Sequence, residues 1–115
     1  MQYMLLIYGA ESLWNEMAPE KIAEEMGAFR AYTDDLRKAG KLIGGNQLQG
    51  EATAKSVSLL DGRRRVLDGP YVEIKEALGG YYMINADSIE EALQWAEKCP
   101  GARYGGIEVR PVVPM

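Results

Sequence analysis

The sequence predicts a single α+β domain, an antiparallel sheet with two helices packed on one of its faces. Three observations carry that prediction. Residues 2–8 form a nearly unbroken apolar run rich in Leu, Ile and Tyr, and residues 81–86 form another, as buried strands do. Two other stretches, after Pro19 and after Ser88, repeat apolar residues at helical spacing. Between them lies Asp61-Gly62, a strong two-residue hairpin signal.

The elements follow in order. Residues 2–8 are a strand, and Gly9 to Ala18 is a loop carrying Trp14. Pro19 suits the first position of a helix, with Glu20 and Glu24 near its positive end. Ile22, Met26, Phe29, Thr33 and Leu36 make its apolar stripe, and Gly40 stops it. Its N-cap, Ala18, has no side-chain oxygen to offer. Lys41 to Leu48 reads as a short strand loosened by Gly44-Gly45. Lys55 to Leu60 and Arg63 to Leu67 are the arms of the hairpin, and Asp68-Gly69-Pro70 is a turn. Gly79-Gly80 opens the strand Tyr81 to Ala86. Ser88 and Glu91 form a capping box for a second helix, with Ile89, Ala92, Leu93 and Ala96 as its stripe. Pro100-Gly101 ends that helix, and Ile107 to Val113 is the last strand. This order packs most simply as a ferredoxin-like antiparallel sheet with both helices on one face.

Composition narrows the function. The chain has 115 residues, enough for one domain, and 47% are hydrophobic and 26% charged, ordinary values for a globular protein. A net charge of −4 provides no attraction to nucleic acid or anionic lipid, and Arg63-Arg64-Arg65 is too short to change that. Cys99 is the single cysteine, so no intrachain disulfide forms. With no basic leader and no membrane-length apolar run, a cytoplasmic location is expected. The chain has no histidine, which removes Ser-His-Asp and Cys-His chemistry and every metal site that needs imidazole. It also lacks a phosphate-cradling glycine loop, so any chemistry is expected to run without a cofactor or metal.

Both alternating sets of the first strand are apolar: Tyr3, Leu5 and Ile7 on one face, Met4, Leu6 and Tyr8 on the other. Tyr81 with Met83 and Tyr82 with Ile84 repeat the pattern. A sheet with one wet face alternates apolar and polar residues, and these strands do not. Two helices cover only one face. A second copy of the chain is the expected cover for the other, ahead of the Trp14 loop and the middle hairpin folding across it.

The densest polar stretch runs from Asp68 to Glu76. Asp68, in a cleft lined by Pro70 and Tyr71, suits a general acid or base, and equally suits opening a turn. Glu73 and Lys75 share one side of an extended segment and make either a pair that orients a substrate or a solvated surface pair. Three carboxylates here have no spacing that supports Mg²⁺. Glu108 and Arg110 share a face of the last strand, where Arg110 either pairs with a carboxylate, from Glu108 of a second copy or Asp68, or clamps a ligand's. Tyr8, Trp14, Tyr81 and Tyr82 are expected on the second face, where a hydroxyl or two would bind a small aromatic or lactone-like molecule. Cys99 reads as structural.

The chain resembles the YCII-related proteins, in particular the branch named for its Asp-Gly-Pro-Phe (DGPF) motif. The resemblance rests on Tyr3-Met4-Leu5-Leu6-Ile7-Tyr8, Gly45 with Leu48, Asp61-Gly62, Asp68-Gly69-Pro70-Tyr71, Gly79-Gly80-Tyr81-Tyr82, Glu91-Ala92 with Trp95-Ala96, Cys99-Pro100-Gly101 and Ile107 to Pro111. It spans nearly all of residues 1–115, read as one domain. Tyr71 departs from the usual Phe. The resemblance implies a dimeric αβ-barrel assembly with a site near the dimer interface. The His-Asp pair credited to the better-known branch does not carry over, because only its aspartate half can be present, as Asp68. Three functions follow as expectations. One is a cofactor-independent enzyme acting on a small molecule between subunits, with Asp68 as acid or base. Another is a non-catalytic ligand-binding or regulatory module, since the resemblance implies association with a sigma factor. The last is a structural dimer.

Overall fold

The computed structural model describes residues 1–115. Strand β1 (Gln2–Gly9) is followed by a short helix α1 (Glu11–Asn15) and the long helix α2 (Pro19–Lys38). Then come β2 (Leu42–Gln47), β3 (Lys55–Ser58), β4 (Arg65–Asp68), β5 (Ala77–Asn85), α3 (Ile89–Lys98) and β6 (Gly105–Pro111). Strands β2, β5, β1 and β6 lie side by side in that order, every neighbour antiparallel. Strands β3 and β4 pair only with each other, as a separate hairpin. The four-stranded sheet with its helices is the predicted α+β architecture.

Local chemistry explains most boundaries. Pro19 opens α2 with Ala18 contributing no side-chain cap, and Gly40, at φ +72°, takes the left-handed conformation that ends it. Ser88 Oγ accepts from the Glu91 N–H at 3.2 Å and starts α3. The return half of that box is displaced: Glu91 accepts from the Asp87 N–H at 3.1 Å and pairs with Lys41 at 2.9 Å, which holds its carboxyl below the usual range.

The helices bury one sheet face. Tyr3, Leu5, Tyr82 and Ile84 form the core with Tyr32 and Leu36 of α2 and Ala92 and Ala96 of α3. Tyr32 donates its hydroxyl to the Trp95 carbonyl at 2.7 Å, and Tyr82 exchanges a 2.7 Å hydrogen bond with Thr33. Cys99 is buried here, and burial pushes its thiol up to about 11, in keeping with a structural role.

Glu25 ties α2 to the turn that follows α3. Its carboxylate is 2% exposed, accepts from Arg103 at 2.6 Å and has Lys21 at 3.5 Å. The Tyr104 hydroxyl, foremost, and these two cations hold it below its usual 4.5. A depressed carboxyl stabilises the fold above its unfolded value, and that contribution disappears as pH falls through the folded value. Wild type is therefore expected to exceed Glu25→Gln in stability at pH 7, with the gap closing below pH 4.5. Urea midpoints of both proteins between pH 3 and 7 check this; a gap independent of pH would contradict it.

Five expectations need correction. The Gly9–Ala18 segment contains α1, whose Trp14 packs on Phe29 and Tyr104 on the helix side of the sheet. Tyr82 is likewise on the helix side, because helical residues Tyr32 and Thr33 reach it. The hairpin connection runs from Leu59 to Arg64 rather than two residues: Asp61 and Gly62 do take positive φ, but Ser58 and Arg65 are the last pair. Strand β5 begins at Ala77, before Gly79-Gly80, because those glycines absorb a register shift opposite Ile7 and Tyr8. Ile89 and Leu93 are exposed, and Trp95 packs against the core in their place.

Candidate functional site

The second sheet face is built by register. Leu6 lies between Tyr81 and Glu108, and Met4 between Met83 and Arg110. Directly paired residues project to the same side, so this face has an apolar centre and a charged edge on β6. Met4, Leu6, Tyr81 and Met83 are only half-buried. Neither α1 nor the hairpin roofs them: Trp14 is on the other side, and every residue of β4 is exposed.

Tyr8 stands at one end of this face, where the β5 irregularity brings Leu78 opposite it. Two adjoining hollows share Tyr8 and Ile74. One, of about 440 Å³, is walled by Leu48, Glu51, Pro70, Val72, Ala77 and Leu78 among others. Its neighbour, of about 470 Å³, adds Glu76, Gly106, Ile107 and Glu108. Their volumes fall in the range of small-ligand sites, and both are depressions open to solvent, the one at Gly106 the shallower.

The expected site residues divide. Tyr8, Pro70 and Glu108 line the hollows. Arg110 donates to Glu108 at 2.6 Å within the same chain, so it orients that carboxylate. Tyr71, Glu73 and Lys75 are exposed and line neither hollow. Tyr82 is separated from both by the sheet itself. Asp68 is 84% exposed and accepts a hydrogen bond from Lys55, its partner across the hairpin.

Sequence reading passed over Val72, Ile74 and Leu78. A signal was present in the alternation of Pro70, Val72 and Ile74 with Tyr71, Glu73 and Lys75, although bends at 71–72 and 75–76 make the segment a loop rather than a strand. The apolar set, not the charged one, lines the hollow.

Comparison with known proteins bears on the family and the fold. A family model described as "YCII-related domain" matches residues 1–115. An uncharacterised protein of Rhizobium meliloti (strain 1021) is 34% identical over 118 residues, covering 97% of this chain and 92% of that protein. Among solved structures, 5-chloro-2-hydroxyhydroquinone dehydrochlorinase from Burkholderia phenoliruptrix AC1100, in complex with 2,5-dihydroxybenzoquinone, superposes with a TM-score of 0.56. That match covers 98% of this chain and 94% of the other at 15% identity, a likeness of fold. No helix is long and apolar enough to cross a membrane.

Proposed function

Because this chain belongs to the YCII-related family, we propose that it is a small cytoplasmic enzyme, independent of any cofactor, that acts on a compact ring-shaped molecule bound over Tyr8. The observation that carries the reading is the pair of adjoining hollows that share Tyr8 and Ile74, one walled by Pro70, Val72 and Leu78 and the other lined by Glu76 and Glu108. The structural neighbour, solved in complex with 2,5-dihydroxybenzoquinone, supports a ring-shaped ligand for this reading. A second copy pairing on the half-buried face is part of the proposal, since Met4, Leu6, Tyr81 and Met83 otherwise stay in contact with water. So is membership of the DGPF branch, on Asp68-Gly69-Pro70 with Tyr71 in place of Phe.

Asp68 is the acid or base of this reading. It lies two residues before Pro70, on the wall, and must leave Lys55 to act. Both steps are testable with 2,5-dihydroxybenzoquinone as the binding probe and chloride release from 5-chloro-2-hydroxyhydroquinone as the turnover probe. A Cβ at Gly106 meets no atom within 4 Å, so Gly106→Phe puts a ring at the hollow that Gly106, Ile107 and Glu108 line. Its calorimetric affinity for the quinone is expected to fall by more than ~10-fold at an unchanged melting temperature. Asp68→Asn is expected to keep binding and lose chloride release. Equal affinity in wild type and Gly106→Phe would remove the hollow as the site, and full activity in Asp68→Asn would remove the aspartate.

A further inference from the structure

The β3–β4 hairpin is built unlike the rest of the chain. Val57 and Val66 face each other across it, and with Leu59, Leu60 and Leu67 they put five large apolar side chains into solvent, Val57 at 62% exposure. A two-stranded hairpin is marginal alone, and a flat apolar one invites a partner. It springs from the rim of the hollow at Ala54 and Pro70, yet none of residues 55–69 lines that hollow. Its charge is also of opposite sign to the body. Lys55, Arg63, Arg64 and Arg65 against Asp61 and Asp68 make it +2, and the chain as a whole is −4, which leaves −6 on the remainder. The rims of the two hollows display part of that negative charge as Glu51 and Glu76, Glu108 being paired with Arg110, beside exposed Leu48, Val72, Ile74 and Leu78.

We infer that the hairpin is an exchanged arm: it docks on the hollow of a second copy of this chain and closes that copy's site. The arm's apolar sides meet the second copy's exposed wall, and its three arginines meet the rim carboxylates. A two-fold axis makes the exchange reciprocal, so each copy covers the other's ligand. The inference rests on the hollow being a ligand site, and it explains why a hairpin that covers nothing of its own chain carries so many apolar residues.

Val57→Cys labelled with a benzophenone maleimide tests it, the native Cys99 being buried and a weak nucleophile. Equal parts of ¹⁴N and ¹⁵N protein are mixed, irradiated and mapped by mass spectrometry. The expected product is an isotopically mixed crosslink from position 57 to the walls around 48–54, 70–78 or 106–108. Adding Arg63→Glu, Arg64→Glu and Arg65→Glu, all exposed, is expected to cut its yield by about 10-fold. Crosslinks confined to one chain, or to other segments of the second, would overturn the arm, even if light scattering shows a dimer through the sheet face. Mixed crosslinks to the walls without any quinone binding would uphold the arm and sink the ligand reading alone.

Discussion

Gly105→Ala is expected to destabilise the protein by about 1–3 kcal/mol, the range for forcing a methyl against atoms that must move. Gly105 is the first residue of β6 and pairs with Gly9. A methyl there would collide with the Tyr8 carbonyl oxygen and lie 2.9 Å from the Gly9 Cα. Both are backbone atoms, so no rotamer change relieves the overlap, and the strands must separate where β6 joins the sheet. The neighbouring Gly106→Ala provides the control. Nothing lies within 4 Å of its Cβ, and losing glycine's freedom in the unfolded chain offsets other changes. Urea midpoints should therefore fall for the first variant and hold for the second; similar midpoints for both would show that the β1–β6 contact yields easily. The same change should weaken quinone binding, because the displaced backbone belongs to Tyr8.

Leu5→Ala is expected to lose about 3 to 4 kcal/mol, the range for emptying a fully enclosed leucine site. Leu5 is 0% exposed on a central strand, flanked in register by Tyr82 and Val109. Strands on both sides and the helices above leave little room for collapse around a void. Leu6→Ala, one residue on, points to the half-buried face and should lose roughly 1 kcal/mol in a single chain, through lost apolar contact alone. The ratio checks the face assignment: a Leu6 effect equal to that of Leu5 at the lowest usable protein concentration would mean that the chain covers its own second face. A Leu6 effect that grows with protein concentration is the sign of a second copy, because only association buries that side chain.

Local chemistry was legible without the fold. Pro19 and Gly40 bracket α2, Ser88 and Glu91 start α3, and the apolar run from Tyr3 to Tyr8 in β1 announces a sheet greasy on both sides. These are properties of a few adjacent residues, and spacing or side-chain chemistry suffices to read them. Which alternating set faces the helices is different. It depends on where α2 lands after crossing from β1 to β2, and that handed, long-range packing put Tyr82 and Trp14 on the helix side.

The site shows the same division. The sequence by itself determined that a small histidine-free α+β domain would carry a cluster of aspartate, tyrosine and carboxylates around residues 68–76. Only the tertiary structure brings Pro70, Val72 and Ile74 beside Tyr8 at the hollows, with Val72 and Ile74 still open to water, while Asp68, Tyr71, Glu73 and Lys75 line neither hollow. The physical reason is that alternation in sequence defines two sets of residues without saying which of them a bent loop brings to a hollow. That choice is set by the β1–β5 register at Tyr8 and Leu78, which joins residues far apart in the chain.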